Sequence, residues 1–135
     1  MFDPSVGSQT LTYTVYSANH VCSNYATTNV TVDAVPGVPT PGSYGPYCET
    51  HAPVVLGGSP SGGVWSGTGV SLVGSDWMFD PSVGSQTLTY TVYSTNHVCS
   101  NFATTGVVVD AVPGVPTPGS YGPYCETHAP VVLGG

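Results

Sequence analysis

Residues 86–93, QTLTYTVY, alternate between two kinds of side chain. Leu88, Tyr90 and Val92 fall on one side; Thr87, Thr89, Thr91 and Tyr93 fall on the other. A period of two sustained over this run predicts a half-buried strand with a solvated threonine face. The run TTGVVV at 104–109 predicts a second strand ending at Asp110. Between them, Ser94-Thr95-Asn96-His97 reads as a hairpin turn, since Asn tolerates positive φ. Shorter apolar runs at 52–56, 63–66 and 70–73 end in turn signals such as Gly57-Gly58 and Gly67-Thr68-Gly69. Phe79-Asp80-Pro81 opens a turn before the long strand. Such closely spaced short strands, six or seven in ~64 residues, predict a small all-β sandwich.

The pattern occurs twice. Residues 1–58 recur as 78–135, and the two copies differ only at Ala18/Thr95, Tyr25/Phe102, Asn29/Gly106 and Thr31/Val108. Met1 matches Met78, which lies in mid-repeat, so the chain reads as a window on a longer tandem array. Prolines 36, 39, 41 and 46 recur at 113, 116, 118 and 123. Proline donates no amide and biases its neighbour to extended geometry, so these runs predict stiff connectors. The expected organisation follows. Residues 1–33 are the C-terminal part of one repeat, 34–46 a Pro-rich linker, 47–110 a complete repeat, 111–123 a second linker, and 124–135 the first strand of the next repeat. Strands of this length joined by extended linkers predict a rod rising roughly 35–70 Å per repeat.

Composition narrows the classes of function. The chain has no Lys or Arg, seven acidic residues and a net charge of −7. Without a basic side chain it has nothing with which to neutralise phosphates, which excludes nucleic acid as a partner and disfavours anionic lipid. No apolar stretch reaches the ~18 residues of a membrane-spanning helix, so no membrane insertion is expected. Strong helix formers are scarce while β-branched residues abound, with 22 Val and 17 Thr. No Ser-His-Asp arrangement or phosphate-binding loop is visible, so the chain is not expected to be an enzyme and no cofactor is implied. The acids are too scattered for a calcium loop.

From Tyr47 the complete repeat runs CETHAPVVLGGSPSGGVWSGTGV, then FDPSVGSQTLTYTV, then CSNFATTGVVV. In order and spacing this resembles the Ig-like tandem repeats of very large secreted surface proteins of Bacteroidetes. The resemblance covers residues 47–110. It implies an Ig-like sandwich, export by the type IX route, and work as a filament or adhesin at the cell surface. One departure is Asn96-His97-Val98-Cys99, where the family has Asn-Gly-Cys.

Four cysteines, 22, 48, 99 and 125, recur with the repeat. Periodicity allows Cys48–Cys99 within the complete repeat, leaving Cys22 and Cys125 for neighbouring repeats. It also allows Cys22–Cys48 and Cys99–Cys125 across the linkers. Loop entropies differ by only ~0.6 kcal/mol and do not decide. A small core gains from an internal staple, and the resemblance implies the same Cys48–Cys99 pairing. Cys48-x-x-His51 and His97-x-Cys99 also offer ligands for zinc, but a disulfide with incidental histidines is the simpler expectation and no metal is assigned. Regular cysteines suit an oxidising exterior. Trp65, Tyr44 and Tyr47 are candidate ligand-contacting aromatics around the loop 57–69, although core packing is the ordinary fate of such rings. The expected function is a structural repeat of a secreted surface filament, with copies of itself as partner. The alternative is a module binding a glycan or surface protein.

Overall fold

A computed structural model describes residues 1–134. The chain is all-β and falls into a free hairpin, a sandwich and an extended tail. The hairpin is β1 (Gln9–Tyr16) with β2 (Ser23–Val30). The sandwich comprises β3 (Tyr44–Cys48), β4 (Val54–Leu56), β5 (Val64–Ser66), β6 (Val70–Val73), β7 (Asp76–Phe79), β8 (Gln86–Tyr93) and β9 (Ser100–Asp110). One sheet has the order β3-β9-β8-β5 and the other β4-β7-β6. All pairings are antiparallel except β3 with β9. This four-plus-three arrangement, with the first strand lying parallel to the last, has the connectivity of an Ig-type sandwich.

The alternation read at 86–93 places Leu88, Tyr90 and Val92 in the core, with Leu56, Trp65, Phe79 and Val107. Phe79 and Leu88 are fully shielded. Tyr90 is anchored at both ends. Its ring lies 5.0 Å from that of Trp65. Its hydroxyl accepts from the Gly63 amide at 2.9 Å and donates to the Pro60 carbonyl at 2.7 Å. A Cβ on Gly58 or Gly63 would stand 2.4 Å from the Tyr90 ring, so both glycines are required by close approach. Asp80 caps the 3-10 turn Pro81–Val83 by accepting from the Ser82 amide.

Two expected boundaries change. The Pro-rich stretch 34–46 is no free spacer. Asn101 Nδ2 donates to the Pro36 carbonyl at 3.1 Å, Pro39 is buried, Thr40 bridges Ser59, and Thr105 Oγ1 donates to the Gly42 carbonyl at 3.0 Å. The segment therefore runs up the flank of β9 and becomes β3 at Tyr44. Proline is suited to this edge because an edge segment has amide positions with no ladder partner. Residues 124–134 form no strand, contrary to expectation; Gly135 lies outside the described residues. The same sequence in the first copy forms the end of β3 and all of β4 only because β9 and β7 supply their partners.

Candidate functional site

The complete repeat meets the hairpin of the preceding one at a defined junction, and Asp33 is its centre. Asp33 follows β2 and reaches the β8–β9 turn. Ser94 Oγ donates to Asp33 Oδ2 at 2.8 Å, the Asn96 amide to the same oxygen at 3.2 Å, and Asn96 Nδ2 to Oδ1 at 2.6 Å. Three donors on one carboxylate stabilise its charged form. The Ser94 hydrogen bond first, then that of the Asn96 side chain, hold the Asp33 carboxyl below its ordinary pKa. A carboxyl depressed in the folded state contributes stability above its ordinary range and loses it as the pH falls through the depressed value. Acid therefore loosens this junction. An NMR titration of the Asp33 carboxyl carbon should give a midpoint below the usual carboxylate range, and Asn96→Ala should move it upward.

The turn that receives Asp33 is fixed from within. Ser94 donates its amide to the Cys99 carbonyl at 2.9 Å, and its hydroxyl accepts from the Cys99 amide at 3.1 Å. The residue with positive φ is His97, at 58°, rather than Asn96. Its ring stacks on Tyr93 at 5.6 Å. His20 repeats this geometry against Tyr16 in the hairpin.

At the far end of the sandwich, Asp110 occupies the place Asp33 holds one repeat earlier. Cys48 lies opposite Asp110 in the parallel ladder. The Glu49 amide donates to the Asp110 carbonyl at 3.0 Å, and Glu49 Oε1 accepts from the Val112 amide at 3.1 Å. The outgoing chain is thus held where it leaves the sandwich.

These positions correct the expected cysteine pairing. Cys48 lies at the Asp110 end of β9 and Cys99 precedes its first residue, Ser100. Eleven residues of extended chain separate those ends by about 36 Å, against the ~7 Å Cα limit for a disulfide. All four cysteines are free, with Cys22, Cys48 and Cys125 exposed. The linker-crossing pairs are not formed either. The two halves of the suggested zinc set likewise sit at opposite ends, and among the described residues no group of three or more metal-ligating side chains gathers.

The aromatic candidates also resolve. Trp65 is 2% exposed, which removes its face from any ligand. Tyr44 meets Trp65 edge-on at 5.7 Å and exchanges hydrogen bonds with Gly57, donating to its carbonyl and accepting from its amide. Tyr47 packs against the core and beside His51. All three therefore serve packing. A groove of about 450 Å³ does open beside the loop 57–63, lined in part by Asp76 and Trp77.

Ser94 and Asn96 were read in the sequence only as turn residues, and Asp33 only as the end of the preceding repeat. Their only signal was recurrence: an aspartate closing each strand before the Pro-rich run, and Ser-x-Asn opening each turn. Comparison of the chain with protein-family models, with characterised proteins and with solved structures finds no match.

Proposed function

We propose that this chain is a structural repeat of an extracellular filament or adhesin stalk, working without enzymatic chemistry and with copies of itself as partner. The observation that carries this reading is the position of one residue one repeat apart. Asp33 sits on the β8–β9 turn at one end of the sandwich, and Asp110 leaves from the opposite end. Each sandwich thus receives a predecessor and presents the same group to a successor. A heterologous contact between opposite ends propagates as an open filament unless its rotation closes a ring. The Ig-type sandwich and the resemblance to secreted surface repeats support the same placement outside the cell.

The junction also sets the spacing. Because the Pro-rich segment lies alongside β9, running in the same direction, it adds no length between repeats. The rise is set by β9 and its turn, about 35–40 Å per repeat. Electron microscopy of assembled material should show beads at that axial spacing. A spacing near 70 Å would mean that the connectors are extended, and discrete globular particles would remove the filament reading. The groove beside Asp76 and Trp77 supports a second reading, a glycan-binding module. Specific glycan-array binding abolished by Trp77→Ala would favour it.

A further inference from the structure

The hairpin β1–β2 has nearly the sequence of β8–β9 and the same register: Leu11 faces Thr28 as Leu88 faces Thr105. Its surroundings differ. Leu88, Tyr90 and Val92 are buried, whereas Leu11, Tyr13 and Val15 are exposed. The edge of β2 is equally bare. In the sandwich, β3 fills the corresponding edge, with Tyr44 opposite Val107, Tyr47 opposite Val109 and Cys48 opposite Asp110. At the matching positions Val30, Val32 and Asp33 the edge adjoins an apolar groove of about 550 Å³ that Phe2 and Pro4 also line and that reaches Cys99. The repeat itself therefore defines what covers the edge beside this groove: a strand with the sequence YGPYC, whose cysteine comes to rest opposite Asp33.

Cys99 is already there. Its Sγ lies 3.6 Å from the Asp33 carbonyl oxygen. A cysteine paired with Asp33, as Cys48 is with Asp110, lies one strand spacing away, about 4.8 Å. Both thiols then flank the same aspartate, within the reach at which two cysteines bond. We propose that the cysteines of this protein pair across the junction between repeats, the β3 cysteine of one repeat with the β8–β9 turn cysteine of the next, and never within one sandwich. In a continuous array the partner of Cys48 is the turn cysteine of the following repeat. Between separate copies of this chain, Cys125 of one copy bonds Cys99 of the next, and Cys48 of the first bonds Cys22 of the second.

The tail is prepared for this. The Tyr121 hydroxyl exchanges hydrogen bonds with Gly134, accepting from its amide at 2.6 Å, as Tyr44 does with Gly57. The segment thus keeps the local shape of its counterpart before it finds a strand to join. The chemistry is thiol–disulfide exchange with a small disulfide oxidant. One thiolate attacks an oxidant sulfur and releases one small thiol. The second protein thiolate then attacks the mixed disulfide and releases the other. Two protein thiols and one oxidant disulfide become one protein disulfide and two small thiols, with both protons passing to the leaving thiolates. Thr50 Oγ1 lies 3.2 Å from Cys48 Sγ and holds that thiol below its ordinary pKa, which raises the share of the reactive thiolate.

This inference rests on the filament reading, and the experiment separates the two. The full chain, as an equal mixture of 14N- and 15N-labelled protein, is incubated with oxidised glutathione and digested with pepsin under acid. The expected result is a ladder of covalent oligomers in non-reducing electrophoresis. Its cross-linked peptides should join the Cys22 or Cys99 segment to a PYCETH segment, with both labels mixed in about half of them. The turn segments identify themselves, as Ala18 and Tyr25 differ from Thr95 and Phe102. Cys125→Ser should remove the Cys99 cross-link and leave that of Cys22; Cys48→Ser should do the reverse. A Cys99 cross-link that persists in Cys125→Ser, cross-links of single label only, or thiols that resist oxidation while holding stoichiometric zinc would each overturn the pairing. Fibres that form under reductant but yield no cross-link on oxidation would overturn the pairing and leave the filament standing. Monomers under both conditions would overturn both.

Discussion

Leu88→Ala is expected to unfold the sandwich, while Leu11→Ala leaves its stability almost unchanged. The two leucines hold the same position in the two copies. Leu88 is fully buried between the sheets, whereas Leu11 is 37% exposed on a face that no second sheet covers. Truncating a buried leucine removes its transfer free energy and leaves a cavity, at a cost of about 2–5 kcal/mol. A sandwich with so small a core has only about 5 kcal/mol in total. A substitution outside the core costs less than about 0.5 kcal/mol. Urea denaturation followed by Trp fluorescence checks this directly, because both tryptophans, Trp65 and Trp77, lie in the sandwich. Similar midpoints for the two variants would show that the hairpin is packed as fully as β8–β9.

The second large effect is in hydrogen exchange. The peptide QTLTYTVY occurs at 9–16 and at 86–93, and its amides pair in the same register in each place. A hydrogen-bond count within the hairpin therefore predicts equal protection. Burial predicts otherwise. A two-stranded hairpin in water is marginal by itself, and it opens at a free energy near zero. The amides of β8 exchange only through opening of the sandwich. The expected ratio of protection is on the order of 1000- to 10,000-fold, the equilibrium constant of an opening that costs about 5 kcal/mol. Assembly of copies as proposed would add a strand to the β2 edge, and the ratio should then collapse. Mass spectrometry separates the two regions through the Ala18/Thr95 difference. Equal protection in the unassembled chain would show that the hairpin is already covered.

Both results concern identical sequence in unlike surroundings, and this repeat isolates what each level of structure supplies. The alternation at 86–93 was enough to place strand β8 and its buried side chains, because a period of two has only one reading when one face is apolar. The all-β class followed from the same pattern with its glycine and proline punctuation. The four-residue strand β7 was not legible. Its segment DWMF has no alternation to detect, and it becomes a strand because β4 and β6 flank it on both sides. Strand β3 was hidden for a different reason. Its sequence YGPYC carries a proline and reads as connector, yet it joins β9 in parallel through a ladder that is irregular between Tyr44 and Tyr47.

The sequence by itself determined the repeat, the β class, the core face and the recurrence of cysteine and aspartate every 77 residues, since 1–58 recurs from 78. These are local or periodic properties, fixed by side-chain chemistry and spacing. The tertiary structure alone decided which ends meet. Chain entropy did not distinguish one cysteine pairing from another, because it depends only weakly on loop length. Distance along β9 does distinguish them: it puts Cys48 and Cys99 at opposite ends of one rigid ladder, and it brings Asp33 to the turn that Cys99 closes. The Pro-rich run likewise reads as a spacer until β9 is present to receive it. An extended segment with few amide donors gains little by itself and becomes ordered where an adjacent strand edge and a buried proline contact, here Pro39, hold it in place.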